Sequence, residues 1–401
     1  MPYRGSLDWL NFLLADVRGG LGPYVSVYLL TEGQWDQATI GAVLTVSGII
    51  GITLHTPIGA LIDATHFKRG LLIGGVLILS GCALAIARAP TVPVVLAADI
   101  AMAVLGGVFA PTVAAITLGL VGEDRLAARL GRNAAFDRIG NLAIAAIAGA
   151  VGSLFSQRAV FYLVPLFAVL TIMAVASIPA SAIDHERARG FGERQPTKDT
   201  DHPAGWRVLL QRRPLVVLAV AAALFHFANA PMLALASQKM ALLHPGRESA
   251  LTSAAIMASQ LATIPVALVI GRADVVGRKP LLVAAFLALP LRGLLFASTD
   301  EPAWIILGQI LDGLGGGLFD ALQPLVLADI MHGTGRYNAS RGFISTVQGV
   351  GGSLSQVVAG LVVVHAGYET AFLGFAAVGL GALMLVCTLM PETNPRQMPS
   401  P

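Results

Sequence analysis

Gly106-Gly107-Val108-Phe109 returns about 210 positions later as Gly316-Gly317-Leu318-Phe319, and it does not return alone. Leu71-Leu72-Ile73 is answered by Leu281-Leu282-Val283 and Pro23 by Pro231. Asp63, in Gly59-Ala60-Leu61-Ile62-Asp63, is answered by Asp274, in Gly271-Arg272-Ala273-Asp274. The apolar stretches around these motifs recur with the same spacing. The chain reads as one helical unit written twice, with a polar segment between the copies.

Composition names the solvent of that fold. Of 401 residues, 55% are hydrophobic and 12% charged, with a mean hydropathy of +0.74. A soluble domain carries about 25% charge, so the solvent is lipid. The net charge of +3 is small and its basic residues sit in short loops, which gives no sign of nucleic acid. Cys82 and Cys387 each fall inside an apolar segment, one per half, and suggest neither a disulfide nor a metal centre. The first apolar stretch, from Leu7 past Tyr28, is long for a signal-peptide core and reads as a retained helix.

A spanning helix needs about 20 mostly apolar residues. Twelve stretches qualify: 7–30, 38–62, 71–88, 92–119, 133–155 and 159–180, then 214–240, 249–271, 280–298, 302–330, 340–365 and 368–390. Their length predicts helices, because barrel strands would be short and alternating. On one side of the membrane the loops hold 19 Lys and Arg, on the other 4, and 3 lie within spans. Basic loops stay in the cytoplasm, so both termini are expected there. Residues 181–213 form the long polar segment, read as a cytoplasmic linker with a short surface helix near Trp206. The predicted domains are thus a bundle over 1–180, the linker 181–213, and a bundle over 214–401.

The loop joining the second and third helices of each half carries a signature. In the second half Asp274-Val275-Val276-Gly277-Arg278-Lys279 fits Gly-x-x-x-Asp-Arg-x-Gly-Arg-Lys from the Asp onward, with Val275 in place of the first Arg. In the first half Gly59, Asp63 and Lys68 keep their places and Arg69 follows. Together with the spans, the repeat and the central loop, the chain resembles the major facilitator superfamily over its whole length. The resemblance implies an all-α membrane fold of 12 transmembrane helices in two pseudo-symmetric six-helix bundles. It implies a cavity lined by the first, fourth, seventh and tenth helices, and transport by alternating access. Asp63 and Asp274 would act as latches against a helix N-terminus, with the basic residues orienting them. Gly140, Gly149 and Gly152 partly match an antiporter signature of the fifth helix, without its Pro, and equally suit close packing.

Charged residues at membrane depth carry the functional reading. They are Asp16 and Arg18 in the first helix, Asp99 in the fourth, Asp137 and Arg138 in the fifth, Arg292 in the ninth, and Asp312 and Asp320 in the tenth. Each would cost about 2.5–3.5 kcal/mol facing lipid, so they must face water, pair, or (for acids) be protonated. Five acids against three arginines leaves two carboxylates without a fixed cation. Arg18 is expected to meet Asp312 or Asp320. Arg292 is the misfit, either snorkelling outward or reaching an acid on the tenth helix. His226 and Asn229 precede Pro231 in the seventh helix, and Gln260, Gln309 and Gln348 lie in the eighth, tenth and eleventh. Gln309 stands at the repeat position of Asp99. Breaks at Gly19-Gly20-Leu21-Gly22-Pro23 and Ala230-Pro231, at matching places, point to a substrate site.

Neither a Gly-x-x-x-x-Gly-Lys-Ser/Thr loop nor His-Glu-x-x-His or Cys-x-x-Cys is present, so an enzyme reading has no starting residue and no cofactor or metal is expected. The expectation is a monomeric carrier in a bacterial inner membrane, with protons and a small organic solute as partners, working as an exporter by antiport. Import of an anionic nutrient or metal chelate, motivated by Arg18 and Arg292, is the alternative, and a non-transporting membrane sensor the third.

Overall fold

The computed structural model describes residues 4–15, 22–184, 212–332, 334 and 336–394. Every extended element among them is a helix. In chain order these are α1 (Arg4–Ala15), α2 (Gly22–Thr31), α3 (Gln37–Ala64), α4 (Lys68–Arg88), α5 (Val92–Val121), α6 (Glu123–Leu154), α7 (Gln157–Phe161) and α8 (Leu163–Ala176). There follow α9 (Arg213–Asn229), α10 (Met232–Leu243), α11 (Glu248–Thr263), α12 (Val266–Ile270), α13 (Ala273–Val276), α14 (Arg278–Ser298), α15 (Pro302–Met331) and α16 (Tyr337–Leu389).

Ten segments among the described residues are long and apolar enough to cross a membrane. They fall on the predicted spans to within a few residues, with two exceptions. The predicted first span appears as α1 and α2, flanking residues 16–21, which lie outside the described residues with Asp16 and Arg18. The last two predicted spans appear as the continuous α16, which turns at Gly367. There φ is 83° and ψ is 170°, a backbone that only glycine adopts at little cost. The turn falls between residues 365 and 368, where the apolar pattern places the boundary. The linker and its helix near Trp206 also lie outside the described residues, apart from 181–184 and 212–213.

The chain divides into two compact units. One takes the described residues of Met1–Trp35, Val46–Lys198 and Gly246–Ser253; the other takes those of Asp36–Thr45, Asp199–Pro245 and Ala254–Pro401. The boundary runs through α3 and α11. In the second unit Thr45 Oγ1 donates to the Ser353 carbonyl (2.7 Å), tying the start of α3 to α16. In the first, Tyr24 Oη and Ser253 Oγ lie 2.6 Å apart, tying the start of α11 to α2.

Each unit has its own apolar core. The first packs Leu7, Leu10, Leu72, Val76, Phe109, Val113 and Ile116. The second centres on Phe225, Phe286 and Phe319, with ring centroids 4.6–5.2 Å apart. These phenylalanines are packing residues, which is the commoner role of aromatics at helical spacing. Large apolar side chains such as Leu154, Leu268 and Met173 stay exposed, as they do on surfaces that meet lipid rather than water.

Candidate functional site

Among the predicted residues, Arg292, Gln309, Asp312 and Asn229 are brought together in one cluster built around Arg292. Gln309 and Asp312 are three residues apart on α15 and share a face. Asn229 is the last residue of α9, and Ala230–Pro231 interrupts the helix before α10, as the sequence predicts. Arg292 comes from α14 and is 1% exposed. Its Nη1 donates to Asn229 Oδ1 and to Asp312 Oδ1, both at 2.7 Å, and its Nη2 to Gln309 Oε1 at 2.7 Å. The guanidinium also lies 5.3 Å from the ring centroid of Phe296. Of the two expectations for this residue, the one that holds is the acid on the tenth predicted span; the snorkelling one does not. Arg292 reaches Asp312 because α14 packs directly against α15; the expected meeting of Arg18 with Asp312 or Asp320 concerns a residue outside the described residues.

The other carboxylate oxygen, Oδ2, accepts from Ser259 Oγ of α11 at 2.8 Å. Helices α11 and α15 approach this closely because position 313 is glycine. A Cβ there would strike the Ser259 carbonyl. Asp312 keeps 17% of its side chain exposed while Arg292 keeps 1%, so the arginine stands behind and the acid in front.

Arginine only donates, and this fixes both amides. Asn229 and Gln309 must turn their oxygens toward Arg292 and their NH2 groups away. Gln309 is fully buried, and among the described residues its Nε2 has no acceptor; Arg292 Nε is in the same condition. A buried donor left unmatched costs about 1–3 kcal/mol.

The first unit holds a simpler counterpart. Asp99 of α5 is half-buried and accepts a hydrogen bond from Ser47 of α3. Among the described residues no cation reaches it. The repeat makes the comparison direct. Ser47 and Ser259 stand at corresponding positions, as do Asp99 and Gln309, and Cys82 stands where Arg292 does, about 210 positions apart in each case. In both units a serine of the second predicted span donates to a carboxylate of the fourth. Among the described residues, only the second unit adds an arginine.

The remaining predicted residues lie elsewhere on the helices. Asp320 is exposed and is the acidic neighbour of His226, whose Nδ1 lies 3.1 Å from the Ala222 carbonyl. Gln260 on α11 is half-buried and Gln348 on α16 is 9% exposed. Asp137 receives Asn141 Nδ2 on its carbonyl (2.9 Å). Arg138 is exposed on α6. Gly140, Gly149 and Gly152 are packing positions: a Cβ would strike Phe12 at the first, Ser253 at the second and Ser249 at the third.

The signature loops are more structural than their basic character suggests. Lys68 is 0% exposed and donates to the Ile62 and Thr65 carbonyls (3.1 and 2.8 Å), closing the end of α3. Arg69 donates to the Ala176 carbonyl (3.4 Å). Gly59 lies in α3, and the side chain of Asp63 lies outside the described residues. In the second copy Gly277 has φ 101° and starts α14. Arg278 pairs with Asp274 (2.8 Å) and with Asp329 (3.1 Å). The carboxylate on a helix N-terminus here is that of Glu392, which accepts from the backbone N–H groups of Arg278 (2.9 Å) and Lys279 (3.0 Å). Asp274 pairs with Arg278 within its own loop.

Three features escape the sequence reading. Glu392 is one. Asp8 is another: it is held by Arg129 and Arg132, each at 2.7 Å, with Arg129 buried. Counting Arg129 as a loop charge misses this, because α6 begins ten residues before its apolar pattern does. Lys239, at the outer end of the predicted span 214–240, is the third: a buried residue of α10 that donates to the Phe296 and Thr299 carbonyls and pairs with Asp300. The i,i+3 spacing of Arg129 and Arg132 was the available signal.

The sequence profile of the Major Facilitator Superfamily matches residues 8–272 and 230–401. The chain belongs to the major facilitator superfamily. Two relatives, uncharacterised MFS-type transporters from two strains of Mycobacterium tuberculosis, are each 43% identical over 392 residues, covering 97% of this chain and 93% of theirs. Among solved structures, a mutant of the nucleoside transporter NupG superposes with a TM-score of 0.80 at 15% identity, covering 97% of this chain and 100% of that one. Unmutated NupG gives 0.74 at 17% identity, covering 98% and 100%. At that identity the likeness concerns the fold. This superfamily member is therefore a multi-pass membrane transporter of a small molecule.

Proposed function

We propose that this chain is a proton-coupled secondary carrier that exports a small organic solute in exchange for protons by alternating access. It has twelve spans in two halves, 1–180 and 214–401, joined by 181–213, with both termini in the cytoplasm. It works as a monomer in the bacterial inner membrane.

The observation that carries the proton coupling is the contrast between Asp99 and Asp312. Asp312 is neutralised by Arg292 at 2.7 Å. Asp99 has a neutral partner, Ser47, and no cation among the described residues. It can change between charged and neutral forms without breaking an ion pair, which a proton carrier requires. The anionic-cargo reading rests on Arg18 and Arg292. Arg292 is spent on Asp312, Asn229 and Gln309, so that reading loses half its motive.

The test is reconstitution into liposomes that trap a pH dye, with an imposed proton gradient and a solute screen that includes nucleosides, the cargo named for NupG. Solute addition should dissipate the gradient in the native protein. Asp99→Asn should abolish that proton movement and keep solute counterflow. Proton movement unchanged in Asp99→Asn defeats the reading.

A further inference from the structure

We infer that Asn229 and Asp312 form a donor–acceptor edge that binds the uncharged part of a neutral solute, a vicinal diol or a carboxamide, and that Arg292 is the positioning residue that sets this edge. The geometry is directional. Arg292 takes the oxygen of Asn229, so the Asn229 Nδ2 faces away from it as a donor. It also takes Oδ1 of Asp312, while Ser259 takes one position on Oδ2. Asn229 and Asp312 are both half-buried, and the remaining lone pairs of a carboxylate are acceptors. A diol or a carboxamide offers the complementary pair, a donor beside an acceptor.

Charge selects among ligands. The arginine is 1% exposed, so an anion approaching the cluster meets the carboxylate first. A cation meets a carboxylate whose charge Arg292 already balances. Only a neutral group gains without an electrostatic loss.

This assignment takes the carrier reading as its frame, and its test uses binding without any gradient, so the two can fail separately. The purified full chain is unfolded by heat in detergent with matched pairs, nicotinamide against nicotinate and D-ribose against D-ribonate. The neutral member should raise the melting temperature and the carboxylate should not. Asn229→Asp is the decisive variant. It keeps an oxygen for Arg292 and replaces the outward donor with an acceptor. Its affinity for the neutral probe should fall roughly tenfold or more, the loss for a site whose polar group is left facing its like. The assignment is overturned by equal or greater stabilisation from the carboxylates, by no stabilisation from either neutral probe, or by a native-like response in Asn229→Asp.

Discussion

Arg292 of α14 and Asp312 of α15 form an ion pair of 2.7 Å in which the arginine is 1% exposed and the acid 17%. The pair is thus layered, with a shielded cation holding an anion at an accessible surface. Desolvating two charges is costly, and the attraction between them repays it only when the remaining hydrogen-bonding groups are matched. Asn229, Gln309 and Ser259 supply most of that matching.

Breaking the pair from one side should be severe. Arg292→Gln leaves Asp312 uncompensated and should cost about 3–5 kcal/mol. Adding Asp312→Asn to the same chain removes the stranded charge and should recover much of the loss. Thermal unfolding in detergent of the two variants checks this, and a double variant no more stable than the single one refutes it.

The two repeats suggest a transplant. Cys82 occupies the position in the first half that Arg292 occupies in the second. Cys82→Arg should give Asp99 a fixed cation and hold it ionised. The expected result is a protein that inserts normally and no longer moves protons with its solute. A pH-sensitive dye in liposomes reads the outcome directly, and unimpaired proton flux would show that Asp99 is not the coupling group.

Gly313→Ala should separate two helices. The added methyl meets the Ser259 carbonyl, and backbone cannot yield as a side chain does. Overpacking of this kind costs about 1–3 kcal/mol. The melting temperature in detergent should fall, and a value unchanged from the native protein would refute the close approach of the two helices at this position.

Glu392 predicts a pH dependence. Burial pushes its carboxyl up, but the backbone N–H groups of Asn394, Arg278, Lys279 and Thr393 outweigh this and hold it below the ordinary 4.5. A depressed carboxyl stabilises the fold fully above its ordinary value, and the contribution is lost as pH falls through the folded one. Glu392→Gln should therefore cost about 1 kcal/mol at neutral pH. The gap between the melting temperatures of native and variant should close as the pH drops below 4.5. A gap that persists in acid would mean that the charge of Glu392 is not what holds the start of α14.

Much of the fold is legible in the amino-acid order because the membrane makes one rule dominant. Backbone polar groups in lipid must be satisfied within the segment, so each long apolar run becomes a helix. That is why Val92–Val121 and Pro302–Met331 fall where hydropathy puts them, and why Gly367 breaks α16 at the predicted boundary. The polar residues of the site are legible too, since Asp99, Arg292, Gln309 and Asp312 stand out against apolar neighbours. Lys68, Arg129 and Lys239 mislead for the complementary reason. Long basic side chains near helix ends look like loop charges, yet each is folded back onto carbonyls or an acid in its own unit.

The sequence by itself determined the duplication, the apolar helices and the set of ionisable groups that lipid cannot tolerate alone. Which of those groups meet was decided only by tertiary packing. Arg292 and Asp312 are 20 positions apart on different helices, and Asn229 lies 63 positions before Arg292. No periodicity within one helix relates them. Partner choice depends on how closely two helices approach and which faces they turn to each other, and small residues such as Gly313 set that distance through contacts that one-dimensional patterns do not record.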